Sequence, residues 1–160
     1  LEQKDGRKYR AEKVSHVFSK GISSLTLNLE KAYTEAAHVD KWQRTIALDR
    51  EYNWVEVTEQ YKFDSLQIEK DRLNGQVFDN QIVLMAYGKP VAQKAGRILL
   101  QGGMVRLEYD AQYLSASVEK VQMTDGIMKT QWKDNIYRII LRLNDNYPMA
   151  KVKYRFVETR

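Results

Sequence analysis

Three runs within residues 25–63 bring apolar side chains back at every second position, a period that only extended chain can meet. Leu25, Leu27 and Leu29 alternate with Thr26 and Asn28. Trp42, Ile46 and Leu48 alternate with Gln43, Thr45, Ala47 and Asp49, and Val55, Val57, Tyr61 and Phe63 share one side of the third run. Successive side chains of a strand point to opposite faces, so each run has one face fit for burial and one for water. The polar residues 50–53 read as a hairpin turn between the second and third runs. Between the first and second, residues 30–39 (EKAYTEAAHV) could make two helical turns. So short a helix is marginal in water and is expected to lean on the sheet through Tyr33 and Val39.

The same punctuation continues along the chain. Residues 3–7 are a polar lead with Gly6 as a turn, and residues 9–18 read as a strand covered at least partly on both sides. Residues 64–78 show little pattern beyond the turn signal Asn74-Gly75. The run QIVLMAY (81–87) lacks alternation, which predicts a strand buried on both faces. Gly102-Gly103, between 97–101 and 104–109, is the strongest hairpin signal, with Ile98, Leu100, Val105, Leu107 and Tyr109 facing in. A further strand is expected over 113–123, ending at Thr124-Asp125-Gly126. In 136–143, Tyr137, Ile139, Leu141 and Leu143 oppose Arg138 and Arg142. A turn cluster at 144–148 leads into 150–157, the cleanest strand: Ala150, Val152, Tyr154 and Phe156 in, Lys151, Lys153 and Arg155 out.

About ten short strands separated by Gly, Asn, Asp and Pro turns predict an all-β fold. A two-sheet antiparallel β-sandwich with at most one short helix is preferred to a barrel, because runs such as IVLMAY need cover on both faces. The 160 residues suffice for a single domain, 1–160, with a real core. That core is expected to hold Trp42, Ile46, Leu48, Val55, Val57, Leu84, Ile139, Leu141, Val152 and Tyr154. With no cysteine there is neither a disulfide framework nor a Cys-based zinc site. No apolar run approaches membrane-spanning length, so no membrane insertion is expected, and no signal peptide is present. The chain begins LEQKDG without an initiator Met, which leads us to expect a piece of a longer protein. Lys and Arg number 26 against 21 Asp and Glu, a net charge of +5. That excess is compatible with an acidic polysaccharide, nucleic acid or an anionic membrane, and equally with no charged partner at all. Nucleic acid is not expected, because no basic motif is interleaved with aromatics.

Candidate chemistry is sparse. Arg44 shares the face of Trp42 and Ile46, where a charge must be paired or reach an edge. A structural arginine bonded to a carboxylate or carbonyl is the first reading, and direct ligand binding the alternative. The two histidines, His16 and His38, form no local metal motif. Glu12 and His16, read as sharing a strand face, are the only weak metal candidates. Asp49 and Glu51 read as solvated turn residues. No nucleophile–base pair and no phosphate-cradling loop occurs, so no residue is assigned a catalytic role. The substrate-binding candidates are Trp42, Arg44 and the basic stripe Lys151, Lys153 and Arg155, which Arg138 and Arg142 could extend. The same stripe could serve only to discourage edge-to-edge strand pairing.

The succession GRKYRAEKVSH, LEKAY, a Glu/Ala-rich insert, KWQRTIALDR, VEVTE and DNIYRIIL resembles the C-terminal β-sandwich of heparinase II/III-type polysaccharide lyases, over about residues 3–156. The resemblance implies an accessory domain that packs on an upstream α/α-toroid domain and walls the cleft for an acidic, uronate-containing polysaccharide. It implies β-elimination by the whole protein, which needs a base for the proton α to the carboxylate and a donor that neutralises the carboxylate. In the family those groups lie mainly in the toroid, and a sandwich histidine would lie upstream of Leu1, so this chain alone is expected to be inactive. No cofactor is implied for this chain. Some relatives hold a divalent metal here, with ligands in a segment that would also precede Leu1. A periplasmic or secreted location is implied too. The alternatives are a carbohydrate-binding module, if Trp42, Trp54 or Trp132 form an exposed platform, and a purely structural sandwich.

Overall fold

The computed structural model describes residues 6–75, 79–94, 96–145 and 147–159. Residues 3–5 of the expected polar lead, and Asn146 of the expected turn cluster, lie outside the described residues. The chain divides into two compact units, Leu1–Phe78 with Asn146–Lys153, and Asp79–Asp145 with Tyr154–Arg160. The fold is all-β, a two-sheet sandwich, with eight strands in one sheet and three in the other.

The first unit is an antiparallel meander of β1 (Glu12–Phe18), β2 (Ile22–Asn28), β3 (Val39–Asp49) and β4 (Trp54–Phe63), with β11 (Met149–Glu158) following β4 in the strand order. The period-2 runs form β2, β3 and β4. Their register follows from the turn at 50–53, where Asp49 Oδ1 accepts the N–H groups of Glu51 and Tyr52 at 2.9 and 3.0 Å. Asp49 is therefore buried and satisfied, not a solvated turn residue. Residues 30–39 form two 3-10 turns, Glu30–Ala32 and Glu35–Ala37, and their Val39 end opens β3. Val57, Tyr61, Phe63 and Val152 are buried.

Further expectations fail in this unit. Every residue of β1 is exposed, because it is the edge strand, so it is not covered on either side. Leu48 remains 37% exposed near the β3 turn and is not core, and Trp42, Ile46 and Val55, expected in the core with it, are only half-buried. Residues 65–73, read as patternless, form helix α1 (Ser65–Leu73). Its start is fixed by Asp64, whose Oδ1 accepts from the N–H of Leu66 at 3.0 Å and of Gln67 at 3.2 Å.

In the second unit, β5 (Gln81–Ala86), β10 (Asn135–Leu143) and β9 (Leu114–Gln122) make the three-stranded sheet, with β10 central. Strands β6 (Val91–Ala92), β7 (Arg97–Leu100) and β8 (Val105–Tyr109) run in sequence to the C-terminal half of β11. Ile98, Leu107, Leu114, Ile139 and Leu141 are each at most 1% exposed and form the core here. The Gly102-Gly103 hairpin holds, with Ile98 opposite Leu107 and Leu100 opposite Val105. By contrast β5 is only half-buried, on the face of Ile82, Leu84 and Ala86, so Leu84 is not the core residue expected. It is an edge strand, and Val83 and Met85 stand 47% and 55% exposed. A second short helix, α2 (Gly126–Trp132), follows the 124–126 turn, capped by Asp125 Oδ1 on the Met128 N–H at 2.9 Å. Among the described residues two α-helices thus stand where at most one was expected.

Candidate functional site

The β3–β4 hairpin carries the most concentrated side-chain chemistry of the first unit. Arg44 lies opposite Glu59, Trp42 opposite Tyr61 and Ile46 opposite Val57. Cross-strand partners point to the same face, so the register delivers a carboxylate to the guanidinium. Arg44 Nε donates to Glu59 Oε1 at 2.6 Å, and Trp42 Nε1 donates to Glu59 Oε2 at 2.8 Å. Glu59 is 1% exposed, whereas the Arg44 side chain keeps 33%. The guanidinium carbon lies 5.9 Å from the Trp42 ring centroid, within cation–π range. Tyr33 stacks on the same indole, centroids 5.2 Å apart and planes 7° from parallel.

Arg44 is thus paired, as its position required, though a third of it remains in solvent. Glu59 is the residue that sequence reasoning did not name. Its signal was available, because in VEVTEQYKF it alternates onto the face of Val57 and Tyr61. With both carboxylate oxygens engaged, the cluster braces the sheet and offers a ligand only the outer side of Arg44. Tyr33 is not poised as a base. Burial, foremost, pushes its phenol up; Arg44 pulls it down and Glu59 pushes it up, and the net is upward.

A polar network anchors the preceding 3-10 turn. Glu30 accepts from Asn28 Nδ2 at 3.0 Å and from the Trp42 N–H at 3.3 Å, and Gln43 Nε2 donates to Asn28 Oδ1 at 3.3 Å. Partial burial pushes the Glu30 carboxyl up. Hydrogen bonds from its own N–H, from Trp42 and from Asn28, with the charge of Lys13, outweigh that and hold it below its ordinary value.

Glu12 and His16 do not converge. A bulge shifts the β1 register, so Glu12 faces Asn28 and His16 faces Leu25, one on each side of the sheet. The expectation that they share a face assumed an unbroken strand. Among the described residues, no group of three or more His, Cys, Asp or Glu could hold a metal ion.

The basic residues of β11 are disposed differently from one another. Lys153 Nζ is 2.8 Å from Glu56 Oε1, and Lys151 is exposed without an ion pair among the described residues. Arg155 lies opposite Glu108 of β8. Arg138 and Arg142, named as an extension of this stripe, stand on the three-stranded sheet. There Arg138 Nε donates to Glu119 at 2.9 Å and Arg142 Nη1 to Ser117 Oγ at 3.1 Å.

Around Glu108 the second unit assembles a cluster that the sequence did not announce. Arg97 of β7 and Arg155 of β11 flank it in register on either side. Arg106, two residues before it on the same strand, reaches Glu108 Oε1 through Nε at 2.8 Å, and Arg97 Nε lies 3.6 Å from the same oxygen. Residues from three strands meet here, a convergence that only strand order can reveal.

Of the tryptophans, Trp42 is half-buried beneath Tyr33 and Trp54 is half-buried on β4. Trp132 is exposed and lies 6.4 Å from Tyr87, but the rings are inclined by 55° and make no flat platform.

A two-sheet β-sandwich is the class these features define. The chain is similar in structure to the heparan sulfate lyase HepC from Pedobacter heparinus, with a TM-score of 0.60 at 9% identity over 92% of this chain. The match occupies 21% of that protein, so the chain spans a minor part of its length, and at this identity the likeness is one of fold. No family model matches the chain, and no curated protein matches it in sequence. Among the described residues, no helix is long and apolar enough to cross a membrane.

Proposed function

We propose that this chain is the accessory β-sandwich of a heparinase II/III-like lyase acting on acidic, uronate-containing polysaccharides. In this reading it packs on an upstream α/α-toroid domain, walls the substrate cleft and leaves proton abstraction to that domain, in the periplasm or outside the cell. The observation that carries it is the sandwich likeness to HepC over nearly the whole chain, matched to a small part of a lyase. The side-chain chemistry agrees. Glu59 is spent on two donors, Tyr33 has a raised pKa, and β-elimination needs a base near neutrality beside a carboxylate-neutralising donor. The test is to incubate the pure chain with a panel of uronate-containing polysaccharides and follow absorbance from the unsaturated sugar end. No turnover by the chain, and turnover once its upstream segment is restored, is the expected result. Turnover by the chain alone that vanishes in His16→Ala would make His16 catalytic and overturn the accessory role.

A further inference from the structure

We infer that Arg97 and Arg106, gathered on Glu108, form a binding site for the sulfate or carboxylate groups of an acidic glycan. That the oxyanion is carried by a glycan rests on the proposed function; that it is an oxyanion rests on the arginines.

Two guanidiniums from adjacent strands share one carboxylate oxygen. Stability alone does not account for them. A cross-strand ion pair needs one arginine, and like charges on neighbouring strands repel. Glu108 is a shared anchor. Arg106 Nε hydrogen-bonds its Oε1, Arg97 Nε lies within ion-pair distance of the same oxygen, and the terminal Nη groups of the two make no hydrogen bond among the described residues. The two side chains are oriented by the anchor yet remain 43% and 30% exposed, and Glu108 is 28% exposed. A guanidinium fixed at Nε presents its remaining N–H groups as a planar fork, the shape that takes a sulfate or carboxylate two oxygens at a time. The lysines of β11 are a poorer receptor, because Lys153 is engaged by Glu56 and an ammonium lacks the fork.

Two double variants of equal charge separate this site from general attraction. Arg97→Ala with Arg106→Ala, and Lys151→Ala with Lys153→Ala, each remove two positive charges. Affinity for a heparan sulfate oligosaccharide is measured by calorimetry near physiological salt, with thermal melts run alongside. The arginine pair is expected to weaken binding about tenfold or more and the lysine pair no more than about threefold, because oriented charge-assisted bonds exceed diffuse attraction. Arg97→Lys with Arg106→Lys keeps charge and stem, guards against a folding failure, and is expected to lose most of the same affinity. An N- and O-desulfated oligosaccharide that binds as tightly assigns the fork to carboxylates, and one that binds more weakly assigns it to sulfates. Equal losses in the two alanine pairs, full affinity in the lysine-for-arginine variant, no binding by the unaltered chain, or equally tight binding of duplex DNA would each overturn the site. Those results leave the turnover test untouched, so the site and the accessory role can fail separately.

Discussion

Removing the Arg44 guanidinium should cost more than its partly exposed position suggests, because the charge it leaves behind is Glu59. That carboxylate is 1% exposed and holds two donors, Arg44 Nε at 2.6 Å and Trp42 Nε1 at 2.8 Å. In Arg44→Ala it keeps only the neutral indole N–H. Breaking a buried ion pair by deleting one partner costs about 3–5 kcal/mol, since the survivor is an uncompensated buried charge. The Arg44 side chain is 33% exposed, so water already screens part of the attraction and brings the polar cost below that range, to about 1.5–3 kcal/mol. Lost packing and the guanidinium–indole contact restore roughly 0.5–1 kcal/mol. The expected sum is about 2–4 kcal/mol, read as a lower urea midpoint at unchanged slope. Glu59→Gln should cost less, about 1–2 kcal/mol, because the amide keeps an acceptor for the indole and Arg44 can turn its head to water. In a cycle of Arg44→Ala and Glu59→Ala, the pair should be less destabilised than the sum of the singles by about 1–3 kcal/mol. A midpoint for Arg44→Ala indistinguishable from the unaltered chain, or strict additivity in the cycle, would refute the reasoning.

Gly96 stands at φ +84°, and a Cβ there would lie 2.7 Å from the Tyr109 carbonyl oxygen. Gly96→Ala should lower stability by roughly 1–3 kcal/mol, and a thermal midpoint unmoved by the change would count against this close approach. Glu30 has a folded-state pKa below its ordinary value of 4.5, so its contribution is present above that value and disappears as pH falls through the lowered one. Stability of Glu30→Gln should therefore fall less than that of the unaltered chain as pH is lowered from about 5, and parallel acid titrations would exclude the network. Asp64→Ala removes the α1 cap and should cost about 1 kcal/mol by denaturant unfolding, with Asp64→Asn nearly neutral; equal losses in both would reject capping as the cause.

Alternation reveals which residues share a face but not what covers that face. That is why the two kinds of strand fared differently. In 136–143 the Tyr137, Ile139, Leu141, Leu143 set was legible because β10 is central and its partners hold one side dry. The run QIVLMAY looked doubly buried, yet β5 is an edge strand, and Val83 and Met85 show that apolar character can remain in solvent. The two helices escaped notice because neither buries a residue: Leu66, Leu73 and Ile127 are all more than three-quarters exposed, so no apolar stripe marked them. Their caps, Asp64 and Asp125, were the only local signals.

The same distinction separates the two charged clusters. Arg44 and Glu59 lie on strands joined by a short turn, so counting back from the 50–53 hairpin places one opposite the other. That pairing is legible in the sequence itself once the face containing Val57 and Tyr61 is extended to the alternate residue between them. Arg97, Glu108 and Arg155 could not be aligned that way. Arg97 and Glu108 belong to consecutive strands, but β11 reaches β8 only after the entire β9–β10 excursion has been made elsewhere. Sequence patterning marked Arg155 as outward and basic, together with two lysines, and had no means of separating them. The structure does separate them: Lys153 is ion-paired with Glu56, and Arg155 stands in register with a carboxylate shared by two arginines. What looked like one uniform stripe therefore has distinct local chemistry. Lys153 is held by the carboxylate of Glu56, and Arg155 stands in register with that of Glu108.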